Sequence, residues 1–140
     1  MKYQYIPWAL AKGSRDGRSL MMRYRQFSEE FPKQDYPVRV NVVCYLEDQT
    51  PSGLPTRMEY ARLDSVEDSL MELAEVDESS VLAMVITSSG QREFIFQTSN
   101  ANELCRRVSK AYSGDPVRKL NVVQESKDDW DMFFQYIPKN

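Results

Sequence analysis

Apolar and polar positions fall into their clearest pattern between Ser80 and Ser99, where two apolar runs flank Ser89-Gly90. Two runs of this kind around a Gly-containing tight turn predict a β-hairpin. A two-residue loop pairs Val85 with Phe94 and Ala83 with Phe96 on one face, and Met84 with Ile95 and Ile86 with Glu93 on the other. The first face is wholly apolar, with rings set against small partners as a core layer requires. The second is mixed, and the expectation is that it is only partly covered.

Period-two alternation recurs from Tyr36 to Glu47, placing Val38, Val40, Val42, Cys44 and Leu46 on one side of a strand and Arg39, Asn41, Val43 and Tyr45 on the other. The segment 50–55, with two prolines and a glycine, is a loop that ends in Thr56, with Glu59 three residues on. This is a capping box, in which the threonine oxygen accepts from an N–H of the first turn and the glutamate accepts from the threonine N–H. Leu63, Val66, Leu70 and Leu73 then form the apolar stripe of a helix, with Asp64, Asp68, Glu72 and Glu75 towards its opposite side. A second cap, Asn100 with Glu103, opens a helix carrying Leu104, Val108 and Ala111, closed by Gly114 and Asp115-Pro116. Val117 to Glu125 reads as a last, weaker strand.

The order from Tyr36 onward is β-α-β-β-α-β, the split-βαβ or ferredoxin-like arrangement, an α+β fold with both helices on one face of an antiparallel sheet. Trp8–Lys12 and Leu20–Phe27, around Gly13, Ser14, Asp16 and Gly17, add an N-terminal β-hairpin. Trp130, Phe133, Phe134 and Ile137 add a short C-terminal helix over Asp129–Ile137, stopped by Pro138. So short a helix is unstable alone and must dock, on the sheet edge, the mixed face or a partner groove. The reading is therefore one domain over 1–140. It comprises hairpin and linker to 35, a ferredoxin-like core over 36–126 and a helical segment from 127.

Length and an apolar content of 41% agree with a single domain that buries its own core. No apolar run approaches a membrane span and the first residues open no signal peptide, so the expected location is cytoplasmic, with no membrane partner. Cys44 and Cys105 read as structural thiols rather than a disulfide. Charge is uneven. Residues 1–40 carry eight Lys/Arg against four Asp/Glu, a local +4, whereas 57–78 carry eight acids against Arg57 and Arg62, a local −6. That balance argues against sequence-independent nucleic-acid binding. It leaves the acidic helix face either as a contact for a basic protein surface or as a solvated face that keeps the domain soluble.

Candidate chemistry is sparse. The chain has no histidine, the commonest general base and metal ligand. The two cysteines lack the paired spacing that zinc would need, and thiol catalysis is unsupported. The adjacent acids Glu67/Asp68, Asp77/Glu78 and Asp128/Asp129 read as surface pairs, and no glycine cluster forms a phosphate-binding loop. No catalytic, cofactor-binding or metal residue is assigned, and no cofactor is expected. RNA-recognition motifs share the β-α-β-β-α-β order and stack bases on strand aromatics. Here, however, Phe94 and Phe96 share a face with Val85 and Ala83, which places them on the core side.

Gly90-x-Arg92-Glu93-Phe94-x-Phe96, preceded by Gly53-Leu54-Pro55 and followed by Trp130 and Pro138, resembles the bacterial domain-of-unknown-function family 695. The resemblance runs from Trp8 to Pro138 and includes Leu63, Val66-Glu67-Asp68 and Leu70, with Gln97 departing where an aromatic is common. It implies a bacterial source and a ferredoxin-like domain without known catalytic residues. It also implies distant similarity to the C-terminal domain of regulator of ribonuclease E activity B, an acidic inhibitor protein. No site residue transfers from it.

Together these readings predict a non-catalytic interaction or regulatory module that meets a basic protein surface through Asp64, Asp68, Glu72 and Glu75. The alternative is a small-molecule or peptide site on the open face or edge of the sheet, near Tyr45 and Ile95. RNA binding is the third reading. A free edge strand also leaves a homo-oligomer open.

Overall fold

A computed structural model describes residues 2–112 and 120–138. Its strands are β1 (Trp8–Arg15), β2 (Arg18–Arg25), β3 (Val38–Tyr45), β4 (Ser80–Ser88), β5 (Gln91–Thr98) and β6 (Leu120–Lys127). Its helices are α1 (Arg57–Glu75), α2 (Ala101–Tyr112) and α3 (Asp131–Tyr136). All strands join one sheet in the order β1-β2-β4-β5-β3-β6, and every neighbouring pair is antiparallel. The fold is therefore α+β, and the N-terminal hairpin extends the sheet by pairing β2 with β4. The expected stop at Gly114 and Asp115-Pro116, and the start of the last strand at Val117, lie outside the described residues.

Both hairpins turn on two residues with positive φ. Asp16 and Gly17 (φ 54° and 77°) join β1 to β2, and Ser89 and Gly90 (φ 53° and 79°) join β4 to β5. Mirror-image turns of this type match the twist of the flanking strands. The β4–β5 register has the expected pairs Val85–Phe94, Met84–Ile95 and Ile86–Glu93, but Phe96 pairs with Leu82, not Ala83. A bulge between Leu82 and Met84 inserts one residue, which turns Ala83 to the same side as Met84 and brings Leu82 to the helix side.

Each face of the sheet carries its own core. Under α1 and α2 lie Val40, Val42 and Cys44 of β3, Leu82 and Val85 of β4 and Phe94 and Phe96 of β5, with Leu63, Leu70, Leu104 and Val108 above them. Val38 packs at the edge of this same cluster. Cys44 and Cys105 are not joined by a disulfide.

Over the β4–β5 hairpin the second face is covered rather than left partly open. Val81, Ala83, Met84, Ile86 and Ile95 lie beneath Tyr3, Tyr36, Trp130 and Phe133. Phe27 and Phe31 join these rings edge-on, Phe27 to Trp130 at 5.0 Å and Phe31 to Tyr3 at 6.0 Å between centroids. The Tyr3 and Tyr36 hydroxyls bond to each other and reach the Glu78 carbonyl oxygen, tying the chain start to the end of α1. α3 thus docks on its own sheet.

Gly53 and Gly90 explain two anchors of the sequence. The Gly90 N–H donates to the Gly53 carbonyl at 2.9 Å, which clamps the loop before α1 onto the tip of the β4–β5 hairpin. A Cβ on Gly53 (φ +84°) would meet the Gly90 nitrogen and Ser89 Cα at 3.1 Å. Gly53→Ala is expected to cost about 2 kcal/mol from the left-handed backbone alone, read as a lower urea midpoint. Gly13→Ala is the control, since a Cβ there meets nothing within 4 Å.

Candidate functional site

α1 is the element on which the charged residues converge, and its sequence decides how. Thr56 caps it, accepting from the Glu59 N–H at 3.4 Å. The reciprocal half of the box does not form. The Thr56 N–H donates to the Asp48 carbonyl, and the buried Glu59 carboxylate accepts from the N–H groups of Glu47 and Asp48. The buried stripe therefore runs Glu59, Leu63, Glu67, Leu70, Ala74 and Glu75, so three glutamates point into the protein. Val66 and Leu73, expected in the stripe, are half-buried beside it.

Each inward glutamate meets donors. Arg23 on β2 donates to Glu67, and Arg25 on the same strand donates to Glu75 Oε2 at 3.1 Å, with both Arg25 and Glu75 side chains only 1% exposed. The Leu82 N–H gives Glu75 Oε2 a second bond at 2.8 Å. The two guanidiniums lie over the Trp8 ring, Arg23 at 4.8 Å and Arg25 at 4.9 Å from its centroid. Burial pushes the Glu75 carboxyl above the ordinary carboxylate range, against the pull of Arg25 and the Leu82 N–H. Further along, Tyr60 covers Arg92 of β5 and donates to Met21 Sδ at 3.0 Å. The basic N-terminal hairpin and the acidic helix thus face each other across a polar seam.

The expected acidic face loses one member. Asp64, Asp68 and Glu72 are exposed on one side of α1, but Glu75 is turned inward onto Arg25 and offers nothing to a partner. Twelve residues beyond Leu63, at about 100° per residue, position 75 falls about 120° from the buried stripe, between Asp64 and Asp68. It is Arg25 and the Leu82 N–H, at the last turn of the helix, that hold it inward.

Next to Glu72, α1 and α2 border an open groove. Its first lobe, about 460 Å³, is lined by Ser69, Glu72, Leu73, Val76 and Arg107. The second, about 440 Å³, adds Arg106, Lys110 and Ala111. One wall is acidic, the other basic, and the floor is apolar, with Val76 66% exposed at the rim. Arg107 is fixed between Asp77 (2.6 Å) and Glu103 (3.1 Å) and also donates to the Leu73 carbonyl. Hydrogen bonds from Arg107 first, and then from the Ser79 hydroxyl, hold the Asp77 carboxyl well below its usual range.

The structure separates the two residues of the expected ligand face, Tyr45 and Ile95. Both residues lie on the second face, but Ile95 is fully buried under the N-terminal segment and α3, while Tyr45 is 55% exposed at the strand end. The two therefore do not form one exposed surface. Phe94 and Phe96 lie under the helices, so neither ring is presented for base stacking. Among the described residues, no three acidic, cysteine or histidine side chains gather as for a metal, and no helix is long and apolar enough to cross a membrane.

The polar seam is hidden in the sequence because Glu67 and Glu75, taken along α1 alone, look solvent-facing. The signal was present in the heptad spacing of Tyr60, Glu67 and Ala74, and in Arg23 and Arg25 alternating along β2.

No curated protein and no solved structure matches the chain. The model of a family described as a family of unknown function, DUF695, matches residues 7–137, nearly the whole length, and the chain belongs to that family.

Proposed function

We propose that this protein is a non-catalytic binding module for another protein, with its contact surface on the exposed side of α1 and in the groove beside it. The observation that carries the reading is the groove, an apolar floor between an acidic wall and a basic one. Such a depression suits an amphipathic helix that lays apolar anchors on Leu73 and Val76 and turns basic side chains to Asp64, Asp68 and Glu72. The regulatory role implied by similarity to regulator of ribonuclease E activity B belongs to this reading and would use the same surface. The ferredoxin-like description of the core is likewise our reading. Its support is the element order β3-α1-β4-β5-α2-β6, the neighbour order β4-β5-β3-β6 and the placement of both helices on one face.

The test is quantitative affinity capture from native host extract with the full chain. We expect at least one protein to be depleted about tenfold or more by the triple reversal Asp64→Lys, Asp68→Lys, Glu72→Lys, and also by Val76→Glu, which leaves that acidic wall intact. A tenfold loss corresponds to about 1.4 kcal/mol. Glu29→Lys with Glu30→Lys, exposed acids elsewhere, should leave capture unchanged. A partner that binds all variants equally overturns the proposed surface.

A further inference from the structure

We infer that the small cavity between Arg92, Arg23, Tyr60 and Thr87 is a binding site for a phosphate-sized oxyanion. Arg92 belongs to the Gly90-x-Arg92-Glu93 stretch and lies on the helix-covered face of β5, only 4% exposed. Its one hydrogen bond among the described residues runs from Nε to Thr87 Oγ1 at 2.9 Å, and the Tyr60 ring lies 5.5 Å from its Cζ. The other two guanidiniums of this helix–sheet seam are paired, Arg23 with Glu67 and Arg25 with Glu75. Arg92 has no carboxylate within ion-pair distance among the described residues. Glu67 and the exposed Asp64 are the negative groups whose fields reach it. A guanidinium stays charged even where burial disfavours it. A buried one with terminal N–H groups to spare is therefore a donor set awaiting an acceptor.

The space beside it has the matching character. The cavity is about 50 Å³, and its polar walls are Arg92, Arg23, Tyr60 and Thr87, with Leu10 and Val85 among its apolar ones. All four polar walls are donors. Thr87 Oγ1 accepts from Arg92 and keeps its own O–H. The Tyr60 O–H is turned to Met21 Sδ, a weak acceptor that an oxyanion would displace. Two guanidiniums and two hydroxyls around one small space match a tetrahedral oxyanion, since forked N–H groups engage two oxygens at once. The volume admits such a group and excludes a base or sugar ring. The occupant is therefore free phosphate, or the terminal phosphate of a monoester whose remainder passes out beside the exposed Leu10.

The experiment uses the full chain in chloride buffer, titrated with inorganic phosphate, methyl phosphate and acetate. Isothermal titration calorimetry and the side-chain Nε–H resonances of arginine in a heteronuclear NMR spectrum are the two readouts. Inorganic phosphate is expected to saturate one site with a dissociation constant of about 1 mM or tighter and to move the Arg92 Nε–H signal. Acetate should bind at least tenfold more weakly. Equal binding of methyl phosphate identifies a monoester site, and its exclusion identifies a site for the free ion.

Arg92→Met should abolish binding. Tyr60→Phe, which keeps the ring over Arg92 and removes only the hydroxyl, should weaken it several-fold, and it decides the matter if Arg92→Met does not fold. Arg18→Met, an exposed arginine outside the cavity and the groove, should bind like the parent. Absence of saturation at 20-fold above that constant, or equal binding by the Arg92 and Tyr60 variants, overturns the inference and leaves the cavity to water.

Discussion

Trp130→Ala is expected to destabilise the protein by about 3–5 kcal/mol, a fall in melting temperature on the order of 10 °C for a chain of this size. Trp130 is fully buried and is packed edge-on by Phe27 and Phe133 at 5.0 and 5.3 Å between centroids. Its Nε1–H donates to the Lys33 carbonyl at 2.9 Å, so the side chain is satisfied at both its apolar and its polar end. Removing it opens a cavity in the cluster that holds Met84 and Ile95 and frees α3, whose six residues cannot hold a helix unaided. Phe134→Ala is the control on the same helix: Phe134 is 47% exposed, and its loss should stay within about 0.5 kcal/mol. Urea unfolding followed by far-UV circular dichroism separates the two, because it does not depend on the removed fluorophore. A Trp130→Ala loss below about 1 kcal/mol would show that the second face does not need this lid.

That lid marks the limit of what the sequence disclosed about the fold. The helix-covered core was legible because Val38, Val40, Val42 and Cys44 repeat at the period of a strand, and Leu63 and Leu70 at that of a helix. The second face was not. Its cover comes from Tyr3, Phe27, Phe31 and Tyr36, which sit in irregular segments where no period links them. The bulge at Ala83 escaped for a related reason: in an unbroken apolar run either register keeps hydrophobic residues on both faces, so the pattern cannot fix it.

The candidate site was half legible. Asp64, Asp68 and Glu72 are where a solvated helix face would put them. Glu75 and Glu67 are not, because their burial depends on Arg25 and Arg23, which lie on a strand far away in sequence. The local charges of +4 and −6 were each visible, and part of each cancels inside the molecule. The groove between α1 and α2 was invisible, since a one-dimensional pattern places residues on a helix face without saying which helix stands beside it.

The buried pair Arg25–Glu75 yields the second large effect, and its pH dependence separates the partners. Glu75→Leu should cost about 3–5 kcal/mol, because it leaves the Arg25 guanidinium buried and uncompensated. Arginine cannot shed its proton, so nothing in this variant titrates to relieve the loss. Since the parent's own Glu75 contribution fades as pH climbs through its raised pKa, the loss should be no larger at pH 8 than at pH 5. Arg25→Met strands Glu75 instead, and a carboxyl can escape by binding a proton. Glu75 already has its folded pKa raised by burial, and losing the nearby cation raises it further. Stability linked to a raised pKa is fully present below the unfolded value near 4.5 and is lost as pH climbs through the folded value. The Arg25→Met defect should therefore be smaller at pH 5 than at pH 8, whereas that of Glu75→Leu does not grow with pH. The double variant Arg25→Met, Glu75→Leu should recover most of the loss at both pH values. In the parent, Arg25 Nε and Glu75 Oε1 make no hydrogen bond, so the pair's desolvation is only partly offset. Chemical denaturation of the four proteins at both pH values is the measurement. If both single variants lose equal stability at pH 5 and pH 8, Glu75 keeps its charge without Arg25, and the inward turn of this glutamate has another cause.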